Sequence, residues 1–291
     1  MTIDHQDGTH RQLGRRGMLT TAGLAGLAAV GTTMVPGALA AAQVGDGEIL
    51  NFALNLEYLE AEFYLRAATG KGLAAKDVGG VGSMGAVTGG RQVPFKTKAF
   101  REYANEIAQD EQNHVRFIRS ALGAGAVARP KIDLDMAFTT AARAAGLISG
   151  SQKFDAFANE TNFLLAAFIF EDVGVTAYKG AARLISSKDV LEAAAGILAV
   201  EAYHAGQIRT LLYGQGLFAA ARAISDARDQ LDGSGKKDQG IRWKDSANII
   251  PTDANGLAFS RSTGEVLKIV YLGGAGSGFG FFPNRLNGAI K

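Results

Sequence analysis

Two histidines carry the clearest chemical signal in this sequence. The chain has four histidines, and the two beyond residue 40 each follow a glutamate by three positions: Glu111 with His114, and Glu201 with His204. On a helix this spacing places both side chains on one face, where the carboxylate can bridge two metal ions while the imidazole binds one of them. A lone histidine on an apolar face is usually a packed core residue. Two with the same glutamate spacing favour metal ligands.

Two further glutamates occupy apolar positions. Glu171 comes after ten uncharged residues of a helical segment, and Glu57 has the matching place in an earlier one. Burying a carboxylate costs several kcal/mol unless a cation compensates it. Four carboxylates directed at one place therefore predict a pair of divalent cations. Carboxylate and imidazole ligands suit iron or manganese, and the chain has no cysteine for a thiolate site.

An internal repeat relates these ligands to one another. The two Glu-x-x-His segments lie ninety positions apart and share Ile, Arg and Leu at matching places, while the segments around Glu57 and Glu171 share a tyrosine and an alanine. The pattern is two copies of a helix pair, each giving one Glu and then one Glu-x-x-His. We expect Glu111 and Glu201 to bridge the two metals and Glu57 and Glu171 to bind terminally, with one histidine nitrogen per metal.

Four segments with helical periodicity must position the ligands. They extend over about residues 48–69, 98–122, 159–185 and 186–214, and Ser186 with Asp189 predicts a capping box at the start of the fourth. The link 124–158 contains a weakly helical piece at 134–148 and is too long for a hairpin. An all-α four-helix bundle with a long crossover between its second and third helices follows.

The C-terminal part has a different character. After residue 215 we expect one more helix to about residue 231, then a β-prone run at 266–272 and a Gly-rich end. We interpret residues 41–215 as the metal-binding bundle and residues 216–291 as a helix with a small irregular lobe that packs on it.

The N-terminus predicts export. Arg15 and Arg16 precede an uncharged run over 19–42, which contains the small-x-small pattern Ala38-Leu39-Ala40. This pattern is typical of a twin-arginine signal peptide over residues 1–40, and it predicts a periplasmic or extracellular protein. The alternative is a transmembrane anchor, but the Ala- and Gly-rich run makes a poor one, so we expect no stable membrane insertion after cleavage. Thirty basic against twenty-eight acidic residues argue against nucleic acid as the main partner.

Three acidic residues near the ligands have other interpretations. Glu60 lies on nearly the same face as Glu57; it could belong to a metal path or be an alternative ligand, but a solvated or inter-helix carboxylate is favoured. Asp172 points about 100° away from its neighbouring ligand and could instead accept a hydrogen bond from a histidine N–H. Asp110 likewise points away from Glu111.

With these motifs assembled, residues 48–213 resemble the ferritin-like superfamily, whose motif all six ligand positions match. The tail from Gly278 to Asn284, with Asn287-Gly288, resembles exported ferritin-like proteins related to plant desiccation-related proteins; Arg285 stands where a glycine is usual. The resemblance implies two Fe (or Mn) ions, and it implies that Tyr64 and Tyr178 are hydrogen-bond donors to the ligands or radical-quenching groups. Ordinary interior tyrosines are an equally open interpretation.

The expected chemistry is a reaction with O₂ or hydrogen peroxide. Ferroxidase-, peroxidase- or catalase-like outcomes would all suit protection under oxidative or desiccation stress. Two alternatives stay open: a non-catalytic structural or stress-binding protein on the same scaffold, and an iron-storage protein. The sequence gives no oligomeric state, and a homo-oligomer is compatible with it.

Overall fold

Four long helices form the core of the fold. The computed structural model describes residues 44–233, 235–274 and 280–291, so the predicted signal peptide and Gly278 and Phe279 of the tail motif lie outside the described residues. In the described part the helices are α1 (Asp46–Thr69), α2 (Lys98–Leu122), α3 (Met136–Ala144), α4 (Glu160–Ala182), α5 (Lys188–Gly214), α6 (Phe218–Asp232) and α7 (Thr263–Val270). None of them is both long and apolar enough to cross a membrane. The predicted all-α bundle is confirmed.

The bundle consists of two helix pairs. α1 packs along α2, α4 packs along α5, and α1 also contacts α4. The crossover from α2 to α4 contains α3 and a two-residue strand, β2 (Ile132–Asp133), which pairs in parallel with β1 (Val87–Thr88) of the α1–α2 link. The long connection predicted from residues 124–158 is therefore present.

The start of α5 differs from the prediction by one residue. Ser187, not Ser186, caps the helix, and its hydroxyl accepts a hydrogen bond from the backbone N–H of Val190. The predicted capping box is wrong because the carboxylate of Asp46, in the first turn of α1, accepts the N–H groups of Ser186 and Ser187, each at 2.8 Å. Contact with another helix thus decides where the cap lies.

The predicted β-prone run at residues 266–272 is helical instead. Ser262 and Glu265 form a capping box in which the Ser262 backbone N–H donates to Glu265 Oε2 at 2.6 Å. Val266, Ile269 and Val270 then recur at helical spacing and are buried. The β-branched composition suggested a strand, but the cap and the buried apolar face favour α7.

The C-terminal segment packs into the core of the bundle. Phe281 and Phe282 are fully buried, and the Phe281 ring centroid lies 5.0 Å from that of Phe138 and 4.9 Å from that of Phe170. Arg285 has a φ of 66°, in the left-handed region that favours glycine. The lobe thus packs against α3 and α4 through its aromatic side chains.

Candidate metal centre

All six predicted ligands meet between the four long helices. Glu57 comes from α1, Glu171 from α4, and one Glu-x-x-His pair from each of α2 and α5. The four glutamates are at most 1% exposed. The residues form two overlapping groups whose ligand atoms lie within 4.8 Å of one another: Glu57, Glu111, His114 and Glu201, and Glu111, Glu171 and His204. The fold therefore brings the whole predicted set together, and Glu111 belongs to both groups.

Both histidines direct Nδ1 toward the centre. His114 Nδ1 lies 3.2 Å from Glu57 Oε2 and 3.6 Å from Glu111 Oε2. His204 Nδ1 lies 3.1 Å from Glu111 Oε1 and 3.6 Å from Glu171 Oε2. Glu111 thus offers one oxygen to each histidine, and that it bridges two metal ions stays a prediction.

Glu201 lies differently from Glu111. Its Oε1 is 3.8 Å from His114 Nδ1, in the first group of ligands. Its Oε2 is directed at Gly174 of α4, where it lies 2.3 Å from the position that a Cβ would occupy. Any side chain at position 174 would displace this carboxylate. That Glu201 bridges two metal ions stays a prediction, because the ligand group that contains His204 does not include Glu201.

The unpaired polar atoms of this cluster fit a bound metal pair. Within the described residues, eight buried side-chain atoms of the six ligands have no hydrogen-bond partner: Glu57 Oε2, both oxygens of Glu111, His114 Nδ1, Glu171 Oε2, both oxygens of Glu201, and His204 Nδ1. Leaving a buried polar atom without a partner is costly, and such atoms are rare in folded proteins. Carboxylate oxygens and imidazole nitrogens of this kind suit a divalent metal ion.

Two tyrosines hold the terminal carboxylates. The Tyr64 hydroxyl donates to Glu171 Oε1, and the Tyr178 hydroxyl donates to Glu57 Oε1. Each tyrosine thus donates its hydrogen bond to the glutamate of the other helix pair. Because Oε1 is occupied in both cases, Oε2 is the oxygen left for a metal ion. Of the two roles that the resemblance implied, this geometry directly supports that of hydrogen-bond donor.

Asp110 has the role that the sequence suggested for Asp172. His204 Nε2 lies 3.2 Å from Asp110 Oδ2. When the imidazole is neutral, an Nε2–H···O bond there leaves Nδ1 without a proton and able to bind a metal ion. Asp172 instead accepts hydrogen bonds from Arg209 Nη1 at 2.7 Å and from Arg228 Nη2 at 2.8 Å, so its predicted role is wrong. The signal for Asp110 was available, since it precedes His114 by four residues and shares its face of α2.

Glu60 is buried rather than solvated. It is 6% exposed and lines two grooves between α1 and α4. Of the two positions expected for it, solvated or between helices, the position between helices is confirmed. Its helical spacing from Glu57 placed it near the face of the ligands, but spacing along one helix does not show which residues of α4 cover it.

Without metal, the burial and the charges of the cluster favour the protonated forms of two glutamates and both histidines. Burial raises the pKa of Glu57 to about 7 and that of Glu171 to about 8. Burial acts to lower the histidine pKa values, but the facing carboxylates outweigh it: Glu57 foremost raises the pKa of His114 to about 11, and Glu171 foremost raises that of His204 to about 9. For Glu111, contacts with both histidines overcome burial and lower its pKa to about 2. A metal pair has to displace protons from this cluster.

Comparison with known proteins agrees with this geometry. The model of the ferritin-like domain family matches residues 45–214. The desiccation-related protein PCC13-62 of Craterostigma plantagineum is 35% identical over 240 residues, which cover 75% of this chain and 74% of the relative. The ferritin-like catalase Nec2 of Nesocodon mauritianus is 28% identical over 274 residues, 84% of each chain. No solved structure matches the chain.

Proposed function

The chain belongs to the ferritin-like domain family, and on that premise we propose that it is an exported di-metal carboxylate protein that consumes hydrogen peroxide. The proposal combines the ligand cluster with the names of two relatives, one a catalase and one associated with desiccation. Peroxide removal would protect a cell envelope under oxidative or drying stress. The metal is iron or manganese, two ions per chain.

The proposal rests on the eight buried carboxylate oxygens and imidazole nitrogens that have no hydrogen-bond partner among the described residues. Buried carboxylates that serve only structure in this protein are paired with arginine, as Asp172 is with Arg209 and Arg228. Among the described residues the ligand glutamates have no arginine partner, and each has an oxygen in one of the two overlapping ligand groups. This arrangement is costly for a protein that binds no cation and suits one that does.

The side chains around the cluster hold and orient the ligands. Tyr64 and Tyr178 fix the terminal carboxylates, and Asp110 fixes the His204 ring. Glu111 spans both ligand groups. The histidine side chains, 10% and 6% exposed, are the ligands nearest to solvent, so a molecule as small as peroxide would approach from the side of α2 and α5.

A bound metal pair would supply the two-electron redox step by which two hydrogen peroxide molecules become two waters and one O₂. The protein residues keep bulk water away, position the oxidant and hold protons. Three of the four ligand glutamates have raised pKa values because they are buried, so carboxyl groups that can hold and release a proton lie next to the ligand nitrogens.

The test is O₂ release from hydrogen peroxide by the purified mature protein, loaded anaerobically with Mn(II) or Fe(II). We expect one O₂ for every two peroxides, and we expect Glu201→Ala and His204→Ala to lose both metal and activity. Glu106→Ala, which removes an exposed carboxylate from α2, is the matched control and should retain both. Peroxide decay no faster than with the same amount of free metal would contradict the proposal.

A non-catalytic stress-binding protein is the competing function, favoured by the name of the desiccation-related relative. It predicts that Glu201→Ala and His204→Ala leave peroxide decay unchanged and leave the fold equally stable or more stable. An iron-storage function instead predicts a large closed assembly, which the mass from size-exclusion chromatography with light scattering would reveal.

A further inference from the structure

A cavity of about 90 Å³ lies between the α4–α5 helix pair and the C-terminal extension. Asp172 and Thr176 of α4 and Gly206 of α5 line one side of it. The rest of its wall is mostly apolar and includes Val175, Ala205, Ile249, Pro251 and Phe259. Since an engineered apolar cavity of about 150 Å³ binds benzene, this one has room for about four non-hydrogen atoms. The cavity therefore suits a small organic molecule with an apolar body.

The polar side chains of the wall leave one acceptor without a partner. Thr176, Lys237, Asp238 and Gln239 each make a side-chain hydrogen bond to another residue. Asp172 is different: its Oδ2 accepts hydrogen bonds from two arginines, whereas its Oδ1 is buried and has no partner among the described residues. A buried acceptor without a partner is costly. A bound molecule with one donor group would supply the missing hydrogen bond.

The charges around Asp172 indicate that this donor is neutral. Three buried carboxylates and three buried guanidinium groups pair with one another here: Asp172, Asp232, Asp238, Arg209, Arg228 and Arg261. Lys237, which also lines the cavity, is paired with Glu265 at 2.6 Å. An ammonium group in the cavity would add a buried charge to a set that is already balanced, which is unfavourable. A hydroxyl group donates a hydrogen bond without adding charge.

We propose that this cavity binds a small neutral alcohol, whose hydroxyl group donates a hydrogen bond to Asp172 Oδ1 and whose alkyl part contacts the apolar wall. Ile250 lines the cavity and is 77% exposed, so the cavity opens to solvent there. None of the six metal ligands lines it, and the site therefore does not rest on the proposed function. A molecule of this size makes few contacts and binds with a millimolar dissociation constant.

Three molecules of nearly equal size test the hydrogen bond and the charge. 2-Propanol has a hydroxyl donor, acetone has the same number of non-hydrogen atoms but no donor, and isopropylammonium carries a positive charge. Saturation-transfer NMR titrations with the purified mature protein measure their dissociation constants. We expect 2-propanol to bind at least about tenfold more tightly than the other two, because acetone leaves Asp172 Oδ1 unpaired. Equal binding of acetone, or tighter binding of isopropylammonium, would overturn the proposal.

Gly206→Leu tests the place of binding, because the new side chain occupies the cavity. A Cβ at position 206 meets no atom within 4 Å, and leucine favours a helix more than glycine does, so the variant should fold. Gly196→Leu is the matched control: it lies on the same helix in equally open space but does not line the cavity.

2-Propanol should bind to Gly196→Leu as to the wild type, and at least about tenfold more weakly to Gly206→Leu. A crystal of the wild type soaked in 2-propanol should show the alcohol oxygen within hydrogen-bond distance of Asp172 Oδ1. Unchanged binding to Gly206→Leu, or water alone beside Oδ1 in the soaked crystal, would refute the site.

Discussion

The hydroxyl of Tyr178 on α4 donates a hydrogen bond to Oε1 of Glu57 on α1, and so leaves Oε2 of that carboxylate directed at His114. Tyr64 makes the equivalent bond to Glu171. Each half of the repeat therefore orients a ligand that belongs to the other half. The centre depends on contact between the two helix pairs, not on either pair alone.

This cross-pairing predicts the effect of removing a hydroxyl. Tyr178→Phe and Tyr64→Phe should each weaken Mn(II) binding by about 10–100-fold, because groups that orient a ligand commonly contribute that much. Tyr203→Phe, on an 80% exposed side chain of α5, should bind Mn(II) like the wild type. Calorimetric titration of the three variants measures the affinities. If Tyr64→Phe and Tyr178→Phe bind normally but are damaged faster by peroxide, the tyrosines are radical-quenching groups instead.

Metal affinity should rise with pH. The pKa values of His114 and His204, about 11 and about 9, mean that both imidazoles are protonated near neutral pH and must lose a proton to bind metal. For each proton that metal binding releases, the apparent affinity rises about tenfold per pH unit, as long as the pH is below the pKa of the group that releases the proton. Mn(II) titrations at three pH values, in buffers of different ionisation enthalpy, count the protons. An affinity that does not change with pH would show that the histidines are not ligands.

The metal-free protein should lose stability as pH rises. The folded-state pKa values of Glu57, Glu171, His114 and His204 all lie above their ordinary values, so folding favours the protonated forms. The stability that the two glutamates contribute is fully present below about pH 4.5 and is lost as the pH rises through their folded-state pKa values, at about pH 7 to 8. The stability that the two histidines contribute is fully present below about pH 6.5 and is lost as the pH rises to about 9 to 11.

Thermal unfolding of the protein with and without metal tests this behaviour. The Tm of the metal-free protein should fall between about pH 5 and about pH 9, and the increase in Tm on adding Mn(II) should be larger at the higher pH. Glu111 has the opposite sign: its contribution to stability is present above about pH 4.5 and is lost as the pH falls toward its folded-state pKa of about 2, so it does not change between about pH 5 and about pH 9. A metal-free Tm that rises over this range would contradict the electrostatics of the cluster.

A buried ion network joins the C-terminal extension to the bundle. Arg228 contacts Asp172 of α4 and Asp238, while Arg261 contacts Asp232 at 2.8 Å and Asp238 at 2.5 Å. Arg228→Ala takes one of the two arginine partners from each of Asp172 and Asp238, and should lower the free energy of unfolding by about 3–5 kcal/mol. Urea denaturation measures the change, with Arg242→Ala, at an exposed pair with Asp245, as a control of negligible effect. Equal stability of the two variants would mean that the network does not anchor the extension.

Export can be tested independently of the metal. Replacing Arg15 and Arg16 by lysine should leave the precursor inside the cell, whereas the wild-type chain should be recovered outside the cytoplasm with its N-terminus near residue 41. Cell fractionation and mass spectrometry of the intact chain measure both. Unchanged export of the lysine variant would contradict a twin-arginine signal.

The helices were predictable because their signals are local. Lys98–Leu122 has its expected bounds, and Thr69 is followed by Gly70 in the left-handed conformation that ends α1. The cap of α5 was misplaced by one residue because it depends on Asp46, far away in sequence. The β-branched residues at 266–272 favour a strand, but the capping box of Ser262 and Glu265 starts a helix before them, so the predicted β-prone run is wrong.

Helical periodicity and the internal repeat predicted that the six ligands meet. They did not predict which residues of other helices contact the acidic side chains beside them. Spacing along a helix shows which face a residue occupies, as it did for Glu111 and His114. It does not show what lies opposite. Asp172 was therefore assigned to a histidine although two arginines contact it, and for Glu60 the spacing left a solvated and an inter-helix position open.

The metal content of the purified mature protein tests the central claim most directly. The protein is loaded with Fe(II) or Mn(II) under anaerobic conditions and exchanged into metal-free buffer, and its metal is measured by mass spectrometry against protein concentration. Six converging ligands predict about two ions retained per chain, with both lost in Glu111→Ala because Glu111 belongs to both ligand groups. Well under one ion per chain in the wild type would contradict the metal centre.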